Sequence, residues 1–172
     1  MASDFVWFAI LGVWATAVVF AIKPFYDYLV NRGSEHMVAV YYNRKVAHML
    51  AGGVPIIAAP LVFDSPVWVL LGGVLGSIAL ASTHILDRRL WWMQTEQNMN
   101  DATFALMLGI SVYVIWEYSN EPWLAVLPSL FMALAMVLQE SFATRCSNGE
   151  LKVHGVMLEW LRYAFHLVTL SE

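Results

Sequence analysis

Cysteine and charge are both scarce in this chain. Cys146 is the only cysteine, and 13% of the 172 residues are charged. A lone thiol excludes an intrachain disulfide and a cysteine metal cluster. So few charges beside 60% hydrophobic residues exclude an ordinary soluble surface, since soluble domains are nearer half apolar. The sequence has no Walker-type glycine loop and no His-Glu-x-x-His zinc signature. Nothing in its charge pattern asks for a nucleic acid partner. The first apolar run is preceded only by Asp4 and by no basic residue, so a cleaved signal peptide is not expected and the first span should be retained. The net charge of −4 tells less than where the charges fall.

What the sequence has in quantity is apolar runs. They cover residues 5–22, 46–63, 67–86, 102–116 and 123–138. Each approaches the ~20 residues with which a helix crosses ~30 Å of hydrocarbon. Helices are the expected form, because open strands would leave backbone groups unpaired in lipid. The sequence therefore predicts an all-α, integral membrane bundle of about five transmembrane helices in one domain over 1–138. A tail over 139–172 should be interfacial or disordered. Gly72-x-x-x-Gly76 reads as a small-residue packing stripe.

Basic residues are missing from alternate connections. The turns at 64–66 and 117–122 hold none, whereas the other connections and the tail hold all nine Lys and Arg residues. The positive-inside rule then puts the N-terminus outside and the tail and both longer loops in the cytoplasm. A cytoplasmic (plasma) membrane location, with any active face on the cytoplasmic side, follows. Residues 23–43 are too polar to span and are expected along the interface, as is Trp91-Trp92-Met93 after Arg88-Arg89.

Arg44, Lys45 and His48 stand at the entry to the second span. On a helix, Arg44 and His48 are four apart and Lys45 and His48 three apart, so they share a face. One reading is a topology signal with an interfacial histidine. The other is a phosphate clamp, with Arg as forked donor and Lys as point charge. A second polar group runs Asp87, Arg88 and Arg89, then Glu96, Gln97, Asn98, Asn100 and Asp101, ending directly before the fourth span. A carboxylate there can cap a helix, or bind Mg²⁺ together with substrate phosphates. His84 reads as a packed interfacial histidine.

These residues resemble a family. Arg44-Lys45-x-x-His48 followed by Gly52-Gly53 looks like the opening signature of the polyprenol/dolichol/phytol kinases, membrane enzymes that phosphorylate a lipid alcohol with CTP. Asn100-Asp101-Ala102-Thr103-Phe104 is similar to their acidic Gly-Glu-x-Tyr-Phe segment, with Asp101 in place of Glu. The resemblance covers about 44–134. It implies an isoprenoid lipid alcohol and a nucleotide as substrates and Mg²⁺ as cofactor. It implies phosphate binding by Arg44, Lys45 and Asn100, catalytic roles for His48 and Asp101, and metal binding by Asp101. The family continues with Gly-Asp-Gly and a basic stretch, and this chain does not. Read one base upstream from the end of the Leu134 codon, however, synonymous codons permit GDGVTGIVRNAMFKRRTKSSWGNA. Residues from about 135 onward are thus expected to be out of frame, and this copy to be weakly active or inactive.

Other functions fit parts of the sequence. A CTP-dependent lipid cytidylyltransferase shares the same needs. His48 and His84 suggest a haem-binding bundle. A non-catalytic membrane subunit or small transporter is the third alternative, although no charge interrupts the middle of a proposed span.

Overall fold

A computed structural model describes residues 2–95, 99–127 and 130–131. The described residues all fall in one compact unit, Met1–Leu138. The tail and most of the expected fifth span lie outside the described residues, although residues 122–127 are helical.

Before that helical segment the described residues form, in order, α1 (Ala2–Ala21), α2 (Lys23–Asn31), α3 (His36–Ala47), α4 (Val54–Val62), α5 (Val67–Ile85) and α6 (Asn100–Ser119). Between α3 and α4, His48–Gly53 is a π-helical turn. Among the described residues, four stretches are long and apolar enough to cross a membrane: Ser3–Asn31, His36–Val62, Val67–Ile85 and Asn100–Ser119. The described residues are therefore helical throughout their regular structure, as the apolar runs require.

Prolines and special backbone set the boundaries. Pro24 starts α2 directly after α1 ends, as suits a residue with fixed φ and no N–H to lose. Phe63 turns extended after α4 and Pro66 caps α5. Asn120 ends α6 in the left-handed region at φ 55° and donates its N–H to the Trp116 carbonyl, a conformation Asn tolerates.

Residues 23–43 are not a polar segment lying apart from the spans. They form α2 and the start of α3, joined through residues 32–35, and α3 runs on through the π turn into α4. The second span therefore begins ten residues earlier than the apolar run at 46. Its polar first turns are tolerated because Ala39, Val40 and Ala47 pack with Val18, Ile22 and Tyr26 in an apolar core. A second core gathers Ile56, Ala59 and Phe63 from α4 and its end with Phe104, Leu108 and Val112 of α6.

Glycine 73, rather than the Gly72/Gly76 pair, makes the close crossing of α5 and α6. A Cβ on Gly73 would lie 2.7 Å from the Ala105 carbonyl oxygen and 2.8 Å from the Gly109 Cα, and one on Gly109 would lie 2.9 Å from the Gly73 Cα. Gly72 faces the Phe8 ring and Gly76 meets Ala105 Cβ in ordinary contact. Elsewhere the bundle presents large apolar side chains outward, among them Phe5, Val13 and Phe20 on α1 and Leu75 and Ile78 on α5. Water would penalise such a surface and hydrocarbon does not.

Candidate functional site

The π turn His48–Gly53 runs directly into a proline at the start of α4. Pro55 has no N–H, so neither Ala51 in α register nor Leu50 in π register can be bonded by it. The Leu50 carbonyl instead accepts the Trp14 indole N–H at 2.9 Å. Gly52 faces Phe104 Cε1 and Leu108 Cδ2, 3.3 and 3.4 Å from where a Cβ would stand. π turns recur at functional sites, and His48 opens this one.

Helix α3 with its π turn runs parallel to α6, and the register is legible in the contacts. The Arg44 side chain reaches Asp101, the His48 ring stacks on Phe104 with centroids 4.1 Å apart, and Gly52 faces Phe104 and Leu108. Arg44 lies ~12 Å along its helix from His36 at 1.5 Å per residue, whereas Asp101 is in the first turn of α6. The polar residues therefore meet at the level where α6 begins, in a layer between the two apolar cores.

Within that layer Arg44 Nε donates to Asp101 Oδ1 at 3.0 Å. His48 Nε2 lies 3.5 Å from the same oxygen, close enough for electrostatic contact but without hydrogen-bond alignment. Burial is nearly complete, with Arg44 at 0%, Asp101 at 3% and His48 at 5% exposure. Lys45 is buried as well. A guanidinium held away from water requires a counter-charge, and Asp101 supplies one.

One carboxylate cannot satisfy this guanidinium. Arg44 Nη1 and Nη2 are buried without hydrogen-bond partners, as are both ring nitrogens of His48 and Oδ1 of Asn43. Native proteins leave few buried polar atoms unbonded, and a cluster of them marks a place for a ligand or water. Asn43 is itself fully buried and donates from Nδ2 to the Trp92 carbonyl, while its acceptor oxygen is unbonded. Lys45 is packed over the Tyr42 ring.

Asp101 does not cap α6. The residue before the helix is Met99, without a side-chain cap, and Asp101 turns to Arg44 because a full charge attracts it more strongly than backbone amides. Asn100 stands beside it, half-buried. Glu96 lies outside the described residues. Among the described residues no group of three His, Cys, Asp or Glu side chains gathers for a metal. Asp101 alone, already paired with Arg44, is not a Mg²⁺ cage. His84 sits in the last turn of α5 with its Nε2 buried and unbonded.

Sequence reasoning missed the burial of the segment after α5. Trp92 and Met93, expected as interfacial anchors, are buried, and only Trp91 is exposed. Trp92 Nε1 donates to the Val19 carbonyl at 3.1 Å. Gln94 Oε1 accepts from the Leu90 N–H and from Thr83 Oγ1, and its Nε2 donates to the Leu80 carbonyl. These bonds fasten the segment to α1 and α5, and its only sequence signal was a buried-type Trp-Trp-Met run where a loop was due.

The class defined by these features is a multi-helix protein with spanning-length helices and a buried Arg–Asp–His cluster between two of them. Comparison with protein-family models, with curated proteins and with solved structures returned no match.

Proposed function

We propose that this protein is a cytoplasmic-membrane lipid-alcohol kinase, transferring a phosphoryl group from CTP to a polyprenol-, dolichol- or phytol-type alcohol. The observation that carries it is the buried Arg44 guanidinium with two terminal nitrogens unbonded beside Asp101 and His48. A planar fork of N–H donors suits a phosphoryl group. The sequence resemblance over Arg44-Lys45-x-x-His48 and Asp101–Phe104 adds the chemistry. The charge distribution favours a cytoplasmic site.

In the proposed reaction the lipid hydroxyl oxygen attacks the terminal phosphorus of CTP, the bond to the bridging oxygen breaks, and CDP leaves. Arg44 and Lys45 neutralise phosphoryl charge, His48 takes the hydroxyl proton, and Asp101 holds Arg44 and orients the hydroxyl. Asn100 would add a phosphate contact. Mg²⁺, which compensates phosphate charge in such reactions, would rely mainly on the substrate phosphates with Asp101 as the protein's contribution.

The Gly-Asp-Gly segment expected to complete the nucleotide site is missing from this frame. The test is CTP-dependent phosphorylation of polyprenol, dolichol and phytol by this chain and by the chain restored to the upstream-shifted frame after Leu134. Turnover by the restored chain and weak or no turnover by this one are expected. Formation of CMP-lipid instead would give the cytidylyltransferase reading, and a stop codon in the shifted frame would remove the frameshift.

A further inference from the structure

The layer of Arg44, Asp101 and His48 is closed in this structure. All three are so nearly buried that no ligand reaches them from water or from lipid, and any use of them requires a second arrangement. The closed one has a cost. It leaves Arg44 Nη1 and Nη2 and both His48 nitrogens buried without hydrogen bonds, and each has given up hydration that nothing replaces. Opening would return those bonds and offset part of the packing lost.

The packing shows where the molecule would part. On the long helix His36–Val62, Ala39, Val40 and Ala47 belong to the core around Tyr26, whereas Ile56 and Ala59 belong to the core around Phe104. Helix α1 divides at the same level: Phe8 and Leu11 pack on the Phe104 core, and Val18 and Ile22 lie in the other. The π turn His48–Gly53 is the junction in one helix, and Trp14 stands at the junction in α1. The Trp14 indole bond to the Leu50 carbonyl ties the two junctions together. The Arg44–Asp101 pair and the His48–Phe104 stack cross the same boundary, from α3 and its π turn to α6.

We propose that the π turn is a hinge and that the Trp14–Leu50 bond is its latch. Helices bend at π turns and at glycine pairs, and this turn contains Gly52-Gly53. Because Pro55 offers no N–H, the Trp14 indole is the donor that holds the Leu50 carbonyl. When the indole lets go, α3 swings on the turn away from the start of α6. The Arg44–Asp101 and His48–Phe104 contacts then part, and the unbonded nitrogens can meet a ligand. Closing again shuts water out of the layer. The α5–α6 crossing at Gly73 and Gly109 takes no part in the movement. This gives the proposed phosphoryl-transfer site its gate, and it rests on that reading for its purpose but not for its test.

The experiment uses the full chain in non-ionic detergent, without substrate. Diethyl pyrocarbonate, a small neutral reagent that acylates imidazole, is applied briefly, and each histidine's modification rate is read by peptide mass spectrometry. His36 is exposed and serves as the internal reference. In the unaltered chain His48 should react about tenfold or more slowly than His36, because it reacts only through opening. Trp14→Phe, which keeps the ring and removes the N–H, should raise the His48 rate about fivefold, the effect of one net hydrogen bond on a population. The His36 rate should not change, nor should amide exchange at Val112 in the Phe104 core. Trp7→Phe, seven residues earlier on α1 and also exposed, should change nothing. Gly52→Ala is the second variant. Its Cβ would stand 3.3 Å from Phe104 Cε1, which wedges the turn from α6 and should also speed His48 modification. If Trp14→Phe does not fold, Gly52→Ala and the unaltered chain decide the matter. An unchanged His48 rate in the variants overturns the proposal. So does an equal rise with Trp7→Phe, or a rise matched by faster exchange at Val112, which would be loosening of the whole bundle. His48 reacting as fast as His36 in the unaltered chain would mean that nothing is latched. A latch that passes these tests in a restored chain without phosphoryl transfer would sink the kinase reading and leave the hinge standing.

Discussion

Arg44 and Asp101 are each other's only full counter-charge among the bonds described, and both are out of water. Removing one leaves the other as an uncompensated buried charge, which costs about 3–5 kcal/mol. Replacing both by apolar groups of similar volume is often neutral. Arg44→Met and Asp101→Leu should therefore each lower stability by about that much, and the double variant should recover most of it. Unfolding in detergent micelles checks this, and additive losses would mean the two side chains do not depend on each other. Stability recovered in the double variant should come without ligand binding, which separates the ion pair's structural part from its functional one. At this scale the sequence spoke clearly for Arg44 and His48, because four residues on a helix share a face. Charge sidedness and the resemblance put Asp101 at the same face, but its direct pairing with Arg44, 57 residues away, and the burial of Asn43 show only once α3 is packed.

Among the elements, α5 and α6 approach backbone to backbone at Gly73 and Gly109. Gly73→Ala should force the pair apart and destabilise by about 1–3 kcal/mol, as overpacking does. Gly12→Ala on α1 meets nothing within 4 Å and should be neutral or gain up to about 1 kcal/mol from helix propensity. Thermal unfolding of the two variants side by side tests the contrast. A second prediction concerns the segment after α5. Gln94→Leu removes three hydrogen bonds at once, to Leu90, Thr83 and Leu80, and should cost about 1–3 kcal/mol. Faster hydrogen exchange confined to residues 88–95 would accompany it, and unchanged exchange would mean the fastening is not Gln94's. Small-residue spacing in α5 announced a close helix contact, but which glycine made it depended on the rotation of α5 against α6. The segment holding Trp92 and Gln94 has no helical or strand period, so nothing local announced that it would be buried.

Across the whole molecule, charge placement gives the orientation prediction. In a Cys146→Ser background, Glu35→Cys and Asp64→Cys should react with an impermeant maleimide from opposite sides, Asp64→Cys from outside. Labelling of both from one side would overturn the positive-inside assignment. The turn at 63–66 and the connection at 32–35 lie at opposite ends of His36–Val62, so the two probes are well separated. The described apolar exterior of α1 and α5 is consistent with spanning-length helices facing lipid rather than water.

The sequence by itself determined the all-helical class and the presence of helices long and apolar enough to span, but not their bounds. It could do so because run length, proline position and charge sidedness are local or additive properties of the chain. Only the tertiary structure decided that Arg44 is wholly enclosed, that Asp101 pairs with it instead of capping α6, and that Trp92 and Met93 close over the core. Those outcomes depend on the parallel register of α3 and its π turn against α6, which is set by side chains far apart in the chain and leaves no local signal.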